Sequence, residues 1–297
     1  MLLFALLCAS AHSHNGLGDQ PRLRSESVIV KLADTGEIVV SKNPNVVRPI
    51  ASVTKLLSGL VLAASHAGSD ELVTIIDDDK DKLKWSKSRL VVGFTAAREA
   101  LFHAALCASE NRAMYAVVRA LGFTRPNFAE KMNGLAFSLG MAHSRFVEPT
   151  GIDPQNVSTA TDLIYLVDAA AANDDVRLKT LDAGFELTSP HHRSLQMTNP
   201  DRLARSASWD LVVGKTGYTV EAGRSLVARV MIAGRPVDMV FLGAREMASV
   251  FGDASRVRQW LTTKLSAQAS LGNFRVQPSR DINTQAALGP IDTDFPR

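Results

Sequence analysis

In the stretch RPIASVTKLLSGLVLAA (residues 48–64), a serine and a lysine, Ser52 and Lys55, stand among Ile50, Ala51, Leu56, Leu57 and Leu60. The i, i+3 spacing puts both on one helix face, a turn apart. An unpaired ammonium on so apolar a face is costly to bury, so the lysine needs a task. A serine hydroxyl becomes a nucleophile when a neighbouring base takes its proton. Lysine is that base only when neutral. Its ordinary pKa of about 10.4 leaves roughly one molecule in a few thousand neutral at pH 7, a handicap of about 4 to 5 kcal/mol. Desolvation and a nearby second cation both lower that pKa. The apolar neighbours supply the first. The positive end of the helix, near Pro49, also favours an anionic oxygen at Ser52.

The second cation has a candidate in Lys215, within Lys215-Thr216-Gly217, a triplet set in the β-rich text SWDLVVGKTGYT. Thr216 offers a hydroxyl to a substrate carboxylate, and Gly217 lets a ligand backbone approach the strand closely. Tyr218 would then present its N–H to the pocket. A third group is Ser109-Glu110-Asn111, in helical text between the other two. Ser13-His14-Asn15 and Ser41-Lys42-Asn43 share its pattern, but both precede Ser52. Taken singly, each group has a plainer explanation: a stray polar pair ending a core helix, a solvated helical serine, a lysine facing water. Together and in this order they describe one site.

Elements to carry them can be read from periodicity. SVIVKLADTGEIVVS (residues 27–41) has β-branched runs on either side of Asp34-Thr35-Gly36, a hairpin signal. The Ser52 helix follows. Residues 70–92 mix a short strand with a charged run that reads as an exposed, solvated loop. Helical text runs from Thr95 to Gly122 and again to Gly140, with the two glycines as stops. A proline-bearing loop, FVEPTGIDPQN, precedes a helix capped by Ser158 or Thr159. Strand text returns at 208–219, 224–234 and 237–244, the last two joined tightly at Gly234-Arg235, and a helix closes near Leu265. Strands at both ends around a helical middle predict an α/β (α+β) fold, one antiparallel sheet flanked by helices with a helical lobe. The site belongs in the cleft between sheet and lobe.

Composition narrows the function classes. The chain of 297 residues is 46% hydrophobic and 21% charged with a formal net charge of +3, and it has no basic tract of the kind that binds nucleic acid. No stretch is long and charge-free enough to span a bilayer. MLLFALLCASAHS, with small residues at Ala9 and Ala11, resembles a secretory signal peptide over residues 1–11 that lacks the charged start. Cys8 lies in that leader, leaving Cys107 alone and no disulfide framework. The histidines form no HExxH, and His191 and His192 are adjacent, which makes them poor co-ligands. Neither metal nor cofactor is expected. Residues 267–297 read as a disordered tail.

Ser-x-x-Lys, Ser-x-Asn and Lys-Thr-Gly together resemble the signature of penicillin-binding proteins and serine β-lactamases. RPIASVTKL, SENRA, FVEPTGI and KTGYT with AGRSLV resemble the low-molecular-mass D-alanyl-D-alanine carboxypeptidase and endopeptidase family, its endopeptidase branch above all. The resemblance covers about residues 25 to 265, and residues 25–266 are taken as a transpeptidase-like catalytic domain. It implies Ser52 as the acylated nucleophile, Lys55 as its base and Ser109 as a proton relay to the leaving amine. Asn111 would hold the substrate amide, Lys215 and Thr216 the substrate carboxylate, and the N–H groups of Ser52 and Tyr218 the oxyanion. The implied substrates are peptidoglycan stem peptides, with β-lactam antibiotics as covalent inhibitors, in the periplasm and with peripheral membrane association at most. Removal of a terminal D-Ala is the alternative to cross-link cleavage. A β-lactamase, for which Glu148 is the tempting water-activating carboxylate, and a non-catalytic penicillin sensor are further rivals. Cys107 reads as helix packing.

Overall fold

The structure, a computed structural model, describes residues 20–270. In chain order its elements are β1 (Ser27–Leu32), β2 (Ile38–Lys42), β3 (Arg48–Pro49), a 3₁₀ turn (Ala51–Val53) and α1 (Thr54–Ala64). Next come β4 (Leu72–Thr74), β5 (Thr95–Ala97), α2 (Arg98–Cys107), α3 (Asn111–Ala120), α4 (Arg125–Ser138) and β6 (Val157–Ser158). The chain continues through α5 (Ala160–Ala172), α6 (Asp174–Leu181), β7 (Gly184–Leu187), β8 (Leu195–Thr198) and β9 (Leu211–Thr219). It ends with β10 (Gly223–Ile232), β11 (Arg235–Ala244) and α7 (Met247–Ser270).

The strands from both ends of the chain join one antiparallel sheet, in the order β2-β1-β11-β10-β9. Side chains alternate across it. Val28 and Val30 of β1, with Leu226, Met239 and Phe241, pack under Val250, Ala254, Val257 and Leu261 of α7. Ile29, Val213, Val227 and Val240 face the helical lobe. The lobe is built around α1, buried from Thr54 to Leu62, as an almost uniformly apolar helix must be. Gly59 lets its neighbours close in, since a Cβ there would sit 3.1 Å from Leu106 of α2 and 3.3 Å from Val176 of α6.

Several sequence expectations shift in detail. The helical text from Thr95 is not one helix: it begins as β5 and breaks between Cys107 and Asn111. Ser109 takes a left-handed φ of +58°, and the Glu110 carboxylate accepts the Arg112 N–H to cap α3. The tight turn between β10 and β11 is Ala233-Gly234, both left-handed, because Arg235 already pairs with Ile232. Thr159 rather than Ser158 caps the following helix, accepting the Asp162 N–H at 3.0 Å. In the charged run, Asp79 and Asp81 are buried rather than solvated. The helix α6 and the β7–β8 hairpin carried no legible signal. The closing helix runs on to Ser270, into the first residues of the expected tail. The rest of that tail and the expected leader lie outside the described residues.

Among the described residues no helix is long and apolar enough to cross a membrane, and no cluster of His, Cys, Asp and Glu could hold a metal ion. One buried carboxylate fastens α7 to the start of β1. Asp253 accepts the N–H of Arg24 at 2.9 Å and both the N–H and hydroxyl of Ser25, at 2.7 and 2.6 Å. Asp253→Ala orphans these donors and should cost about 3 kcal/mol, lowering Tm by roughly 6 to 12 °C in a calorimetric scan. A shift below about 2 °C would mean that the tie contributes little.

Candidate active site

Ser52 sits in the middle of the 3₁₀ turn that leads into α1. The residue before it, Ala51, holds a left-handed φ of +49°, a strained state for a residue with a Cβ. Two glycines press on that turn. A Cβ on Gly151 would lie 1.8 Å from the Ala51 carbonyl oxygen. A Cβ on Gly217 of β9 would lie 2.7 Å from the Ile50 carbonyl oxygen and 3.2 Å from the Ser52 nitrogen. Gly217 therefore makes room for the serine's own backbone, a use its sequence context did not suggest. It also brings the Lys215-Thr216-Gly217 strand against the Ser52 turn.

Lys55 follows in the first turn of α1 and is fully buried, at 0% exposure. Its Nζ has three neighbours: the Asn111 Oδ1 at 2.6 Å, the Thr150 carbonyl oxygen at 2.9 Å and the Ser52 Oγ at 3.1 Å. The first two can only accept. The amide of Asn111 is oriented by its Nδ2, which donates to Ser86 Oγ at 3.1 Å. A neutral amine has two N–H groups and one lone pair. With both N–H groups given to Asn111 and Thr150, the lone pair is left facing the serine hydroxyl. Burial pushes the Lys55 pKa down to about 7, and the positive charge of Lys215 adds to the shift. That is a change of roughly 5 kcal/mol in favour of the neutral form, enough to remove most of the handicap of an ordinary lysine.

Lys215 is 2% exposed. Burial lowers its pKa to about 8, opposed by the negative charge of Asp201. Asp201 is itself buried and held up near 6 by desolvation. The loop at residues 146–156 supplies the Thr150 carbonyl, and Glu148 holds it. That carboxylate accepts from the Thr150 N–H and hydroxyl (2.8 and 2.7 Å), the Ile152 N–H (3.0 Å), Asn156 Nδ2 (3.1 Å) and the Tyr115 hydroxyl (2.8 Å). With its oxygens so occupied, Glu148 organises the loop and has no lone pair left for activating a water.

A groove of about 240 Å³ opens beside these groups, lined by Ser52, Ser109, Thr216, Gly217, Tyr218 and Arg224 among others. The guanidinium of Arg224 stacks on the Tyr218 ring, 3.5 Å from its centre. A wider cavity of about 420 Å³ around Tyr115, Arg119 and Arg125 contains none of the residues singled out in the sequence. The eight residues proposed from sequence thus converge. Ser52, Lys55 and Asn111 are joined by hydrogen bonds, Ser109, Thr216, Gly217 and Tyr218 line the groove, and Lys215 lies buried in the strand between them. Sequence reading missed Thr150, Ser86 and Asp201. Thr150 acts through its backbone, which no residue type announces, and Ser86 is one serine in a charged run. Cys107 is buried with its thiol pushed up to about 11, and it packs as expected.

The family described as D-alanyl-D-alanine carboxypeptidase matches residues 15–246. The chain is 34% identical over 277 residues to a D-alanyl-D-alanine endopeptidase of Pseudomonas aeruginosa, covering 92% of this chain and 89% of that protein. It is 34% identical over 245 residues to the Escherichia coli protein of the same description, covering 82% and 79%. A mutant of a Streptomyces DD-transpeptidase superposes with a TM-score of 0.74 at 25% identity, covering 81% of this chain and 98% of that one.

The coupling of the two buried lysines is directly measurable. Removing the charge at Lys215 favours the protonated form of Lys55, so Lys215→Ala should move the Lys55 midpoint upward from about 7 in a ¹⁵N-lysine NMR titration. A midpoint that stays or falls would show that burial alone sets it.

Proposed function

From the premise that the chain belongs to the D-alanyl-D-alanine carboxypeptidase family, we propose that it is a serine peptidase that hydrolyses D-alanyl bonds in peptidoglycan cross-links. The observation that carries this reading is the fully buried Lys55 Nζ, 3.1 Å from the Ser52 Oγ and held by the Asn111 and Thr150 oxygens. Ser52 Oγ attacks the D-alanyl carbonyl carbon while its proton passes to Lys55 Nζ. The negative charge moves to the carbonyl oxygen, where the N–H groups of Ser52 and Tyr218 receive it. As the C–N bond breaks, Ser109 relays the proton to the leaving amine. Water then attacks the acyl-enzyme, Lys55 takes its proton, and Ser52 is restored.

Around this step Asn111 holds the substrate amide and fixes one of the Lys55 N–H groups. Lys215 and Thr216 hold the substrate carboxylate. The 34% identity to two endopeptidases favours a cross-linked amine as leaving group; the family's own description keeps release of a terminal D-Ala as the second reading. Residues 25–266 form the catalytic unit, and the setting is the periplasm, where the wall is built. β-Lactams, as mimics of the D-alanyl substrate, acylate Ser52.

Two outcomes test this. Ser52→Ala should abolish labelling by a fluorescent penicillin, and persistent labelling would remove Ser52 from its role. Mass analysis of products from muropeptide dimers and pentapeptide monomers should show dimers split; terminal D-Ala loss with intact dimers would establish the second reading. The pH profile follows from the two lysines. Acylation needs Lys55 neutral, so kcat/KM rises with pH through about 7. Carboxylate binding needs Lys215 charged, so kcat/KM falls through about 8. The expected profile is a narrow bell between these values; a rate still climbing at pH 10 would contradict it.

A further inference from the structure

The charged run after β4 is tied to Asn111 of the helical lobe and to the β9–β10 turn of the sheet. Buried Asp81 winds it into a compact turn, its carboxylate accepting the N–H groups of Leu83 at 2.8 Å, Lys84 at 3.0 Å and Ser86 at 2.9 Å. On the side of the helical lobe, Ser86 Oγ accepts from Asn111, the residue that accepts from Lys55. On the side of the strands, Lys84 pairs with the carboxylate of Glu221, in the β9–β10 turn three residues beyond Tyr218. The segment is a strap from the helical lobe to the β9–β10 turn.

Trp85 is the residue between the two ties. Its φ is +52°, a genuine outlier for a bulky side chain. It is 71% exposed, and Val220, next to Glu221, is exposed as well. Packing does not account for a large apolar ring held in water by strained backbone at this place. Local strain of this kind concentrates at binding sites.

We propose that Trp85 is a specificity-determining residue whose indole receives the peptide stem beyond the D-alanyl unit. This rests on the reading of the groove as a D-alanyl peptidase site. The scissile D-alanyl unit is small and offers a methyl and an amide, with a carboxylate on the leaving-amine side, so discrimination must draw on more remote parts of the substrate. The face of an indole provides that: a rigid apolar surface that covers aliphatic stems of peptide residues. A small β-lactam, seated on Ser52 and Thr216, extends no such stem.

The experiment compares two substrates on full-length protein. Trp85→Ala should reduce kcat/KM for muropeptide stems about tenfold, mainly through KM, and Trp85→Phe should restore most of it. Second-order acylation by 6-aminopenicillanic acid, a penicillin nucleus with no acyl side chain, followed by intact-protein mass, should stay within about twofold in both variants, a shift too small to reflect a lost contact. Unchanged muropeptide kinetics would overturn the proposal. So would a parallel fall in penicillin acylation, which would mean that the strap serves only to hold Asn111. Wild-type protein that takes no penicillin label would instead overturn the peptidase reading itself, so the two failures are distinguishable.

Discussion

A single amine, taken out of water and given two partners that can only accept, is the constraint on which the rest of this structure depends. The Asn111 amide oxygen and the Thr150 carbonyl oxygen each claim an N–H from Lys55. The third neighbour is the Ser52 Oγ, 3.1 Å away. As an ammonium, Lys55 would direct all three hydrogens at these neighbours and have nothing with which to accept a proton. As an amine it is a base aimed at one hydroxyl. Burial and the charge of Lys215 bring the two states into balance near neutral pH, so that the amine is abundant where an ordinary lysine has almost none.

The fold is organised to keep that geometry. The 3₁₀ turn and the start of α1 carry serine and lysine a turn apart, and the lobe encloses the amine so that it has no exposed surface. The strand β9 brings the second cation and approaches the Ser52 turn as closely as a glycine permits. The loop around Glu148 presents the Thr150 carbonyl, and its own N–H groups are gathered by that one carboxylate. The break between α2 and α3 places Ser109 at the groove and starts α3 at Asn111. Each of these segments comes from a different part of the chain. Sheet, lobe and loop must therefore fold together before the serine acquires its base.

Much of this was legible beforehand, and what was not has physical causes. The sheet order follows from β-branched runs at both ends of the chain, and the site from three short groups of side chains whose chemistry is in their types. Ser109 was placed on a helix because its neighbours are good helix formers; the interruption depends on a left-handed residue that is not glycine. The acids at Asp79 and Asp81 looked solvated because a sequence does not reveal partners such as Arg119, whose guanidinium forks onto Asp79 at 3.0 and 2.9 Å. Backbone acceptors such as Thr150 have no signature at all. Gly217 was read as a point of close approach for a ligand; the structure adds that it makes room for the Ile50 carbonyl and the Ser52 nitrogen.

The central claim is a count of hydrogens. Neutron diffraction from a deuterated crystal grown near pH 8 would show it directly. The account predicts two deuterons on Lys55 Nζ, directed at Asn111 and Thr150, and a Ser52 deuteron lying between Oγ and Nζ. Three deuterons on Nζ, with the Ser52 deuteron turned away, would contradict it.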